Sequence, residues 1–174
     1  AQKLKKHTHT TKLEINLSAI RENLAFFRKK INAKTKMLCM VKAQSYGSGL
    51  EKIAVFLEQQ GVSYLGVACV DEGVELRKCE IKLPILVLNM EQENFKSCIQ
   101  NNLEPAIYSF NQLDKFIREL IDYKKTAYPI HLKFDTGMHR LGFNVKDANK
   151  VMEMIKSQPE IMIKGDFSHL ADTG

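Results

Sequence analysis

Apolar and polar residues first alternate along the chain with a period of two. Leu13, Ile15 and Leu17 form the apolar half of that pattern, which predicts a half-buried strand over 13–17. Ser18 is placed to cap a helix, and Ile20, Leu24, Phe27 and Ile31 follow at helical spacing. From there, short apolar runs and helical patterns take turns. The run 37–41 leads to a helix over about 49–60 (Leu50, Ile53, Ala54, Leu57) closed by Gly61. Tyr64 to Cys69 is a second run. Asp71 and Glu72 then open a helix whose last turn carries Arg77 and Lys78, as the helix dipole favours. Pro84 introduces Ile85–Leu88, followed by a helix around 91–100. Glu104–Tyr108 precedes an amphipathic helix marked by Phe110, Leu113, Phe116, Ile117 and Leu120. Pro129 introduces Ile130–Phe134. Val145, Ala148, Val151, Met152 and Ile155 mark a further helix, and Ile161–Phe167 is the last strand-like run.

Strands alternating with helices mean parallel βαβ units, and right-handed crossovers keep the helices on one side if the sheet curls. Six such strands are read here, whereas a closed barrel takes eight strands and about 250 residues. Either the sheet is open, or the chain is most of a barrel without its last quarter. No linker or low-complexity segment divides it. Residues 1–11 read as a flexible, basic tail, and 12–174 as one domain.

Composition narrows the class. The chain has 174 residues, 44% hydrophobic and 26% charged, which is ordinary for a soluble globular protein. No run approaches the ~18 apolar residues of a membrane helix, so no membrane partner is expected. The N-terminus lacks the apolar core of a signal peptide and does not begin with Met, the start of a processed product or of a piece of something longer. Four cysteines (Cys39, Cys69, Cys79, Cys98) show no C-x-x-C spacing, and two lie in apolar runs. Free thiols in a reducing, cytoplasmic compartment are the reading. The net charge of +6 is scattered among acids without a basic stripe interleaved with aromatics, which argues against nucleic acid.

Candidate chemistry gathers where the strands end, as it does in parallel barrels. The run Met37–Val41 stops at Lys42, and the chain then passes Gly47 and Gly49. An amine at the end of an apolar strand is costly to bury as a cation. Burial favours the neutral form that makes a Schiff base, so Lys42 is the candidate to hold pyridoxal phosphate. The plainer alternative is a lysine reaching out to water. Tyr46, Asp71, Glu72, Asn89, Asp135, Thr136, His139, Arg140, Ser168 and His169 fall at equivalent strand ends. Arg140 offers a fixed donor fork suited to an oxyanion. Lys133 sits near the end of an apolar strand and needs a partner there. His169 reads equally as structural or functional. His7 and His9 have no third ligand, so no metal is expected. Asp-Thr-Gly occurs at 135–137 and 172–174, as in aspartic proteases, but those are all-β and this chain alternates strands with helices.

Several segments carry a family resemblance. Val41-Lys42-Ala43-Gln44-Ser45-Tyr46-Gly47 is similar to the cofactor-lysine segment of the alanine racemases, which are fold-type III pyridoxal-phosphate enzymes. Asp71-Glu72 with Leu76-Arg77 and Pro84–Leu88 resembles their next βα unit. Leu132-Lys133-Phe134-Asp135-Thr136-Gly137-Met138-His139-Arg140-Leu141-Gly142 resembles their most distinctive loop, which the related single-barrel pyridoxal-phosphate homeostasis proteins lack. The resemblance spans about Leu13 to His169.

It implies an α/β fold, an incomplete (β/α)8 TIM-type barrel with about six βα units. It also implies a pyridoxal 5'-phosphate cofactor and racemisation of alanine, supplying D-alanine for peptidoglycan. Lys42 would carry the cofactor and act as one of two acid/base groups. Tyr46 would bind the cofactor phosphate and Leu88 would line the cofactor. Arg140 would face the cofactor's phenolic oxygen and bind the substrate carboxylate. Lys133, often carbamylated in the family, would orient Arg140, and His169 would lie beneath the pyridine ring. The chain departs from the family at Gln44, commonly Asn, and at Ser48, commonly His. The family's catalytic tyrosine, its arginine at the pyridine nitrogen and its C-terminal β domain have no counterpart before position 174. The chain alone is therefore expected to be inactive, and the full-length protein a homodimer, possible fusion to a cell-wall ligase domain included. A non-catalytic cofactor carrier and a racemase of another amino acid are the alternatives.

Overall fold

The computed structural model describes residues 11–172. They fall into two compact units, one up to Thr35 and one from Lys36 onward. The expected tail lies outside the described residues, apart from Thr11.

In the first unit, α1 (Leu17–Lys30) is capped by Asn16, whose side chain accepts from Ala19 N at 3.1 Å. The expected strand over 13–17 does not form, and Ser18 lies inside the helix rather than at its cap. Asn16 takes the orphan amide first, so the chain turns helical two residues earlier than Ser18 would have it. Leu24 is the buried residue of α1, while Phe27, expected on the buried face, is exposed.

The second unit is a parallel sheet wound with helices. β1 (Leu38–Met40) is followed by a left-handed turn, α2 (Lys42–Tyr46), then by α3 (Leu50–Gln59) and β2 (Tyr64–Val67). Next come α4 (Val70–Lys78), β3 (Ile85–Val87), α5 (Phe95–Gln100), β4 (Glu104–Ile107) and α6 (Phe110–Asp122). β5 (Tyr128–Asp135), the two-residue β6 (Phe143–Asn144), α7 (Ala148–Lys156) and β7 (Ile161–Phe167) complete the order. β1 to β5 pair in sequence order, all parallel. β5 then pairs β6 at its C-terminal end and β7 along its length. This is the expected α/β barrel architecture, incomplete. The helices bury apolar stripes, as Leu113, Phe116, Ile117 and Leu120 do on α6. Phe116 meets Phe95 and Tyr128 edge-on at 5.2 and 5.7 Å. Arg77 donates to the carbonyls of Ile81, Leu83, Asn101 and Asn102, tying the end of α4 to the segments that enter β3 and β4.

The inward faces of the strands are not uniformly apolar. Leu38 and Met40 lean over Gly66 so closely that a Cβ there would run into Met40 Sδ and Leu38 Cδ2. Beside them Glu104 of β4 meets His131 of β5, Nε2 to Oε2 2.7 Å, both side chains nearly enclosed. The Tyr64 ring stands edge-on to His131 at 5.9 Å. Burial, with the Glu104 carboxylate beside it, pushes the Tyr64 hydroxyl up to about 12. A carboxylate taken out of water is tolerable only while such partners remain. His131→Ala, which strands the carboxylate, should therefore cost about 3 kcal/mol or more in urea unfolding, and the same change combined with Glu104→Gln distinctly less. A loss below about 1 kcal/mol for His131→Ala would show that the pair is not enclosed as described.

Candidate functional site

β1 ends at Met40, and Val41 is fully buried, with its amide donating to Gly66 O at 2.8 Å. The chain then does something its composition does not announce. Ala43, Gln44, Ser45 and Tyr46 take φ values of 50, 54, 54 and 55°, a full left-handed turn without a glycine. Left-handed helix costs L-residues roughly 1–2 kcal/mol each, so several kcal/mol must be offset by the surroundings. Ser45 N donates to Val41 O and Gly47 N to Ala43 O, both at 2.9 Å. Gln44 holds the turn from the side: its Nε2 donates to the Glu75 carboxylate at 3.1 Å, and its Oε1 accepts from Leu50 N at 3.4 Å. The Gln44 departure from the family's usual Asn thus has a clear task. Gly47 (φ 85°) ends the turn and Gly49 (φ 93°) precedes α3.

This turn sets Lys42 at the C-terminal mouth of the sheet, half-buried, with Nζ 6.0 Å from the centroid of the Tyr46 ring. Both line a cavity of about 420 Å³ together with Met40, Leu88, Phe167 and His169. Its lining also includes Tyr64 of β2 and His131 of β5. Four sequence-predicted site residues, Lys42, Tyr46, Leu88 and His169, therefore share one cavity.

Lys133 and Arg140 stand beside it rather than in its wall. Lys133, on β5, is only 5% exposed, and its Nζ lies 6.0 Å from the centroid of the Phe167 ring, which does line the cavity. Burial, then the nearby Arg140 guanidinium, hold its ammonium below the usual lysine range, with Asp135 acting in the opposite sense. Arg140 itself is exposed on the loop after β5. That loop is shaped by Asp135, whose Oδ1 accepts from His139 N at 2.9 Å and Gly137 N at 3.0 Å. These amides, with the His139 ring 3.1 Å from Oδ2, keep the Asp135 carboxyl below its ordinary value. Gly142 (φ 148°) closes the loop against β5, where a Cβ would strike the backbone of Phe134 and Asp135. The Asp135-Thr136-Gly137 carboxylate is thus consumed in shaping a loop, which disposes of the protease reading. Among the described residues no cluster of three His, Cys, Asp or Glu could hold a metal, while His7 and His9 lie outside them.

The profile of the alanine racemase N-terminal domain matches residues 15–174. The chain belongs to the alanine racemase N-terminal domain family. It is 38% identical over 161 residues to the alanine racemase of Clostridium kluyveri, covering 91% of this chain and 40% of that protein. Alanine racemase from Clostridium difficile 630 in complex with cycloserine superposes with a TM-score of 0.89 at 34% identity. The match covers 96% of this chain and 46% of that one. Alanine racemase from Bartonella henselae with covalently bound pyridoxal phosphate gives 0.81 at 28% identity, covering 91% and 46%. The chain thus spans less than half the length of these relatives.

Residues that sequence reasoning left without a role also belong here. Glu72 accepts from Ala43 N and Ala68 N at 2.6 and 2.7 Å. Its place in the first turn of α4 is a capping signal that could have found it. His131 shares a face of β5 with Lys133, two residues on, and two polar residues on one face of a strand read as buried were the available sign. Ser45 is 7% exposed and its Oγ has no hydrogen-bond partner. An enclosed, unpaired hydroxyl costs about 1–3 kcal/mol. Ser45→Ala should therefore raise the unfolding free energy by about 1 kcal/mol, and a loss of that size in urea titration would mean that the hydroxyl is paired.

Proposed function

We propose that this chain is the cofactor-bearing part of an alanine racemase, with pyridoxal 5'-phosphate joined to Lys42. The observation that carries this reading is that Lys42, Tyr46 and His169 line one largely apolar cavity. Its size suits a small cofactor with a substrate, and its few polar groups sit where orientation must be fixed. The donor set fits as well. Lys42 offers a half-buried amine for an aldehyde, and Tyr46, 66% exposed at the rim, can donate to a phosphate. Leu88 and Met40 give an apolar wall for a flat ring, and His169 lies across the same space.

When bound, the cofactor withdraws electrons from the α-carbon of an attached amino acid, which makes its proton removable. The chain's own residues do the rest. Lys42 would hold the cofactor at the cavity mouth and, with its amine released, would take or return the α-proton on one face. Arg140, exposed on the loop after β5, would supply a planar donor fork for the substrate carboxylate. Lys133, buried below the loop, sets the charge that Arg140 experiences from the strand side. Racemisation needs a second base on the opposite face, and Lys42 supplies only one. That base would come from a longer protein or a partner subunit, so the reading includes a homodimer and an inactive isolated chain. Supply of D-alanine for peptidoglycan in the cytoplasm belongs to the same reading, as does alanine rather than another amino acid as substrate.

Lys42→Ala should abolish the visible absorbance of bound pyridoxal phosphate. In the full-length protein it should lower α-proton exchange of L-alanine in deuterated water by about 10²–10⁴-fold. Retained absorbance in the variant would refute Lys42 as the attachment point. Binding without exchange in the full-length protein would instead mark a cofactor carrier, and exchange with serine or lysine but not alanine a different racemase.

A further inference from the structure

We propose that Glu72 is the positioning residue for Lys42: its carboxylate holds the left-handed turn that aims the lysine amine at the cavity. The proposal rests on the role given to Lys42 above.

Glu72 stands in the first turn of α4 and spends its two oxygens in different directions. Oε2 accepts from Ala68 N at 2.7 Å, where β2 runs into α4. That is close to the backward reach of a helix cap, one residue before the cap position Cys69. Oε1 leaves the helix altogether and accepts from Ala43 N at 2.6 Å, the amide next to Lys42. One carboxylate thus ties the exit of β1 to the exit of β2. Both bonds are short, as expected when the acceptor is ionised. A cap alone explains only the first.

The turn needs such a tie. Its four left-handed residues carry side chains, and L-residues resist that hand. Bonds inside the turn secure its later amides, Ser45 N and Gly47 N, whereas Ala43 N at its head is taken by Glu72. Glu75, one turn further along the same face of α4, takes the Gln44 side chain. α4 therefore grips the turn twice, once at the residue directly after Lys42. Cys69, at the cap position of α4, makes no capping hydrogen bond with its side chain, so the helix start depends on Glu72 as well. Strain held in place by neighbouring groups is a recurrent way of presenting a reactive side chain.

The test uses Glu72→Ala and Glu72→Gln with two readouts. The first is amide hydrogen exchange without cofactor. Glu72→Ala should speed exchange over 43–47 about tenfold or more, while β5 keeps its protection. Glu72→Gln, which retains one acceptor, should fall between, and it carries the comparison if the alanine variant does not fold. The second readout is borohydride-stable attachment of pyridoxal phosphate to Lys42. A loosened turn should weaken attachment about tenfold and shift its pH dependence, which a mere helix cap would leave unmoved in a folded variant. Unchanged exchange over 43–47, or faster exchange with unaltered attachment, overturns the proposal. If the unsubstituted protein never attaches the cofactor at Lys42, the functional reading fails, while the exchange experiment still decides whether Glu72 holds the turn.

Discussion

Four consecutive left-handed residues between β1 and α3 are the constraint around which this molecule is arranged. A right-handed start at Lys42 would carry the lysine along an ordinary helix. The reversed hand instead packs the turn against β2, α3 and α4, with Val41 and Ser45 inside and Lys42 and Tyr46 both on the cavity. The cost of that hand is met locally. Backbone bonds close the turn, the Gln44 side chain bridges it to α3 and α4, and the Glu72 carboxylate takes the amide at its head. Burial of Leu50, Ile53, Ala54 and Leu57 then anchors α3, the helix into which the turn opens. The chemistry at the amine is therefore a consequence of how two neighbouring βα units interlock.

Charge inside the sheet is the second theme. A parallel barrel is ordinarily filled by branched apolar side chains. Here Glu104 and His131 make a close pair within it, and Lys133 sits two residues along the same face of β5. Glu104 and His131 partner each other, whereas Lys133 faces a like charge. Lys133 feels the Arg140 guanidinium as well as burial, so its ammonium is easier to neutralise than a surface lysine's. The loop that carries Arg140 is fixed at its base by Asp135 and at its end by Gly142. Buried strand and exposed loop are thus electrostatically joined beside the cavity.

The alternation of strands and helices was legible because parallel strands are apolar runs and their helices carry apolar stripes. What misled was local. Leu13, Ile15 and Leu17 alternate like a strand but pair with no strand among the described residues, and Asn16 begins a helix instead. β6, two residues long, is too short for any periodicity to reveal. The left-handed turn was hidden because Ala, Gln, Ser and Tyr carry no signal for that backbone, and the tertiary hydrogen bonds of Gln44 and Glu72 that support it cannot be read from a linear chain. Lys42, Tyr46, Leu88 and His169 could be named from sequence because strand ends gather chemistry and because the segment resembles a known family. The pairing of Glu104 with His131 could not, since nothing in a linear chain shows that residues 27 apart meet at 2.7 Å.

The account turns on which amine the cofactor aldehyde selects. Lys42 stands at the cavity mouth, while Lys133 is buried nearby with its ammonium disfavoured, so both are chemically eligible. Borohydride reduction of the protein incubated with pyridoxal phosphate, then peptide mapping, separates them. The account predicts one reduced adduct, on Lys42, in the peptide that contains the left-handed turn. An adduct on Lys133, or one spread over surface lysines, would contradict it.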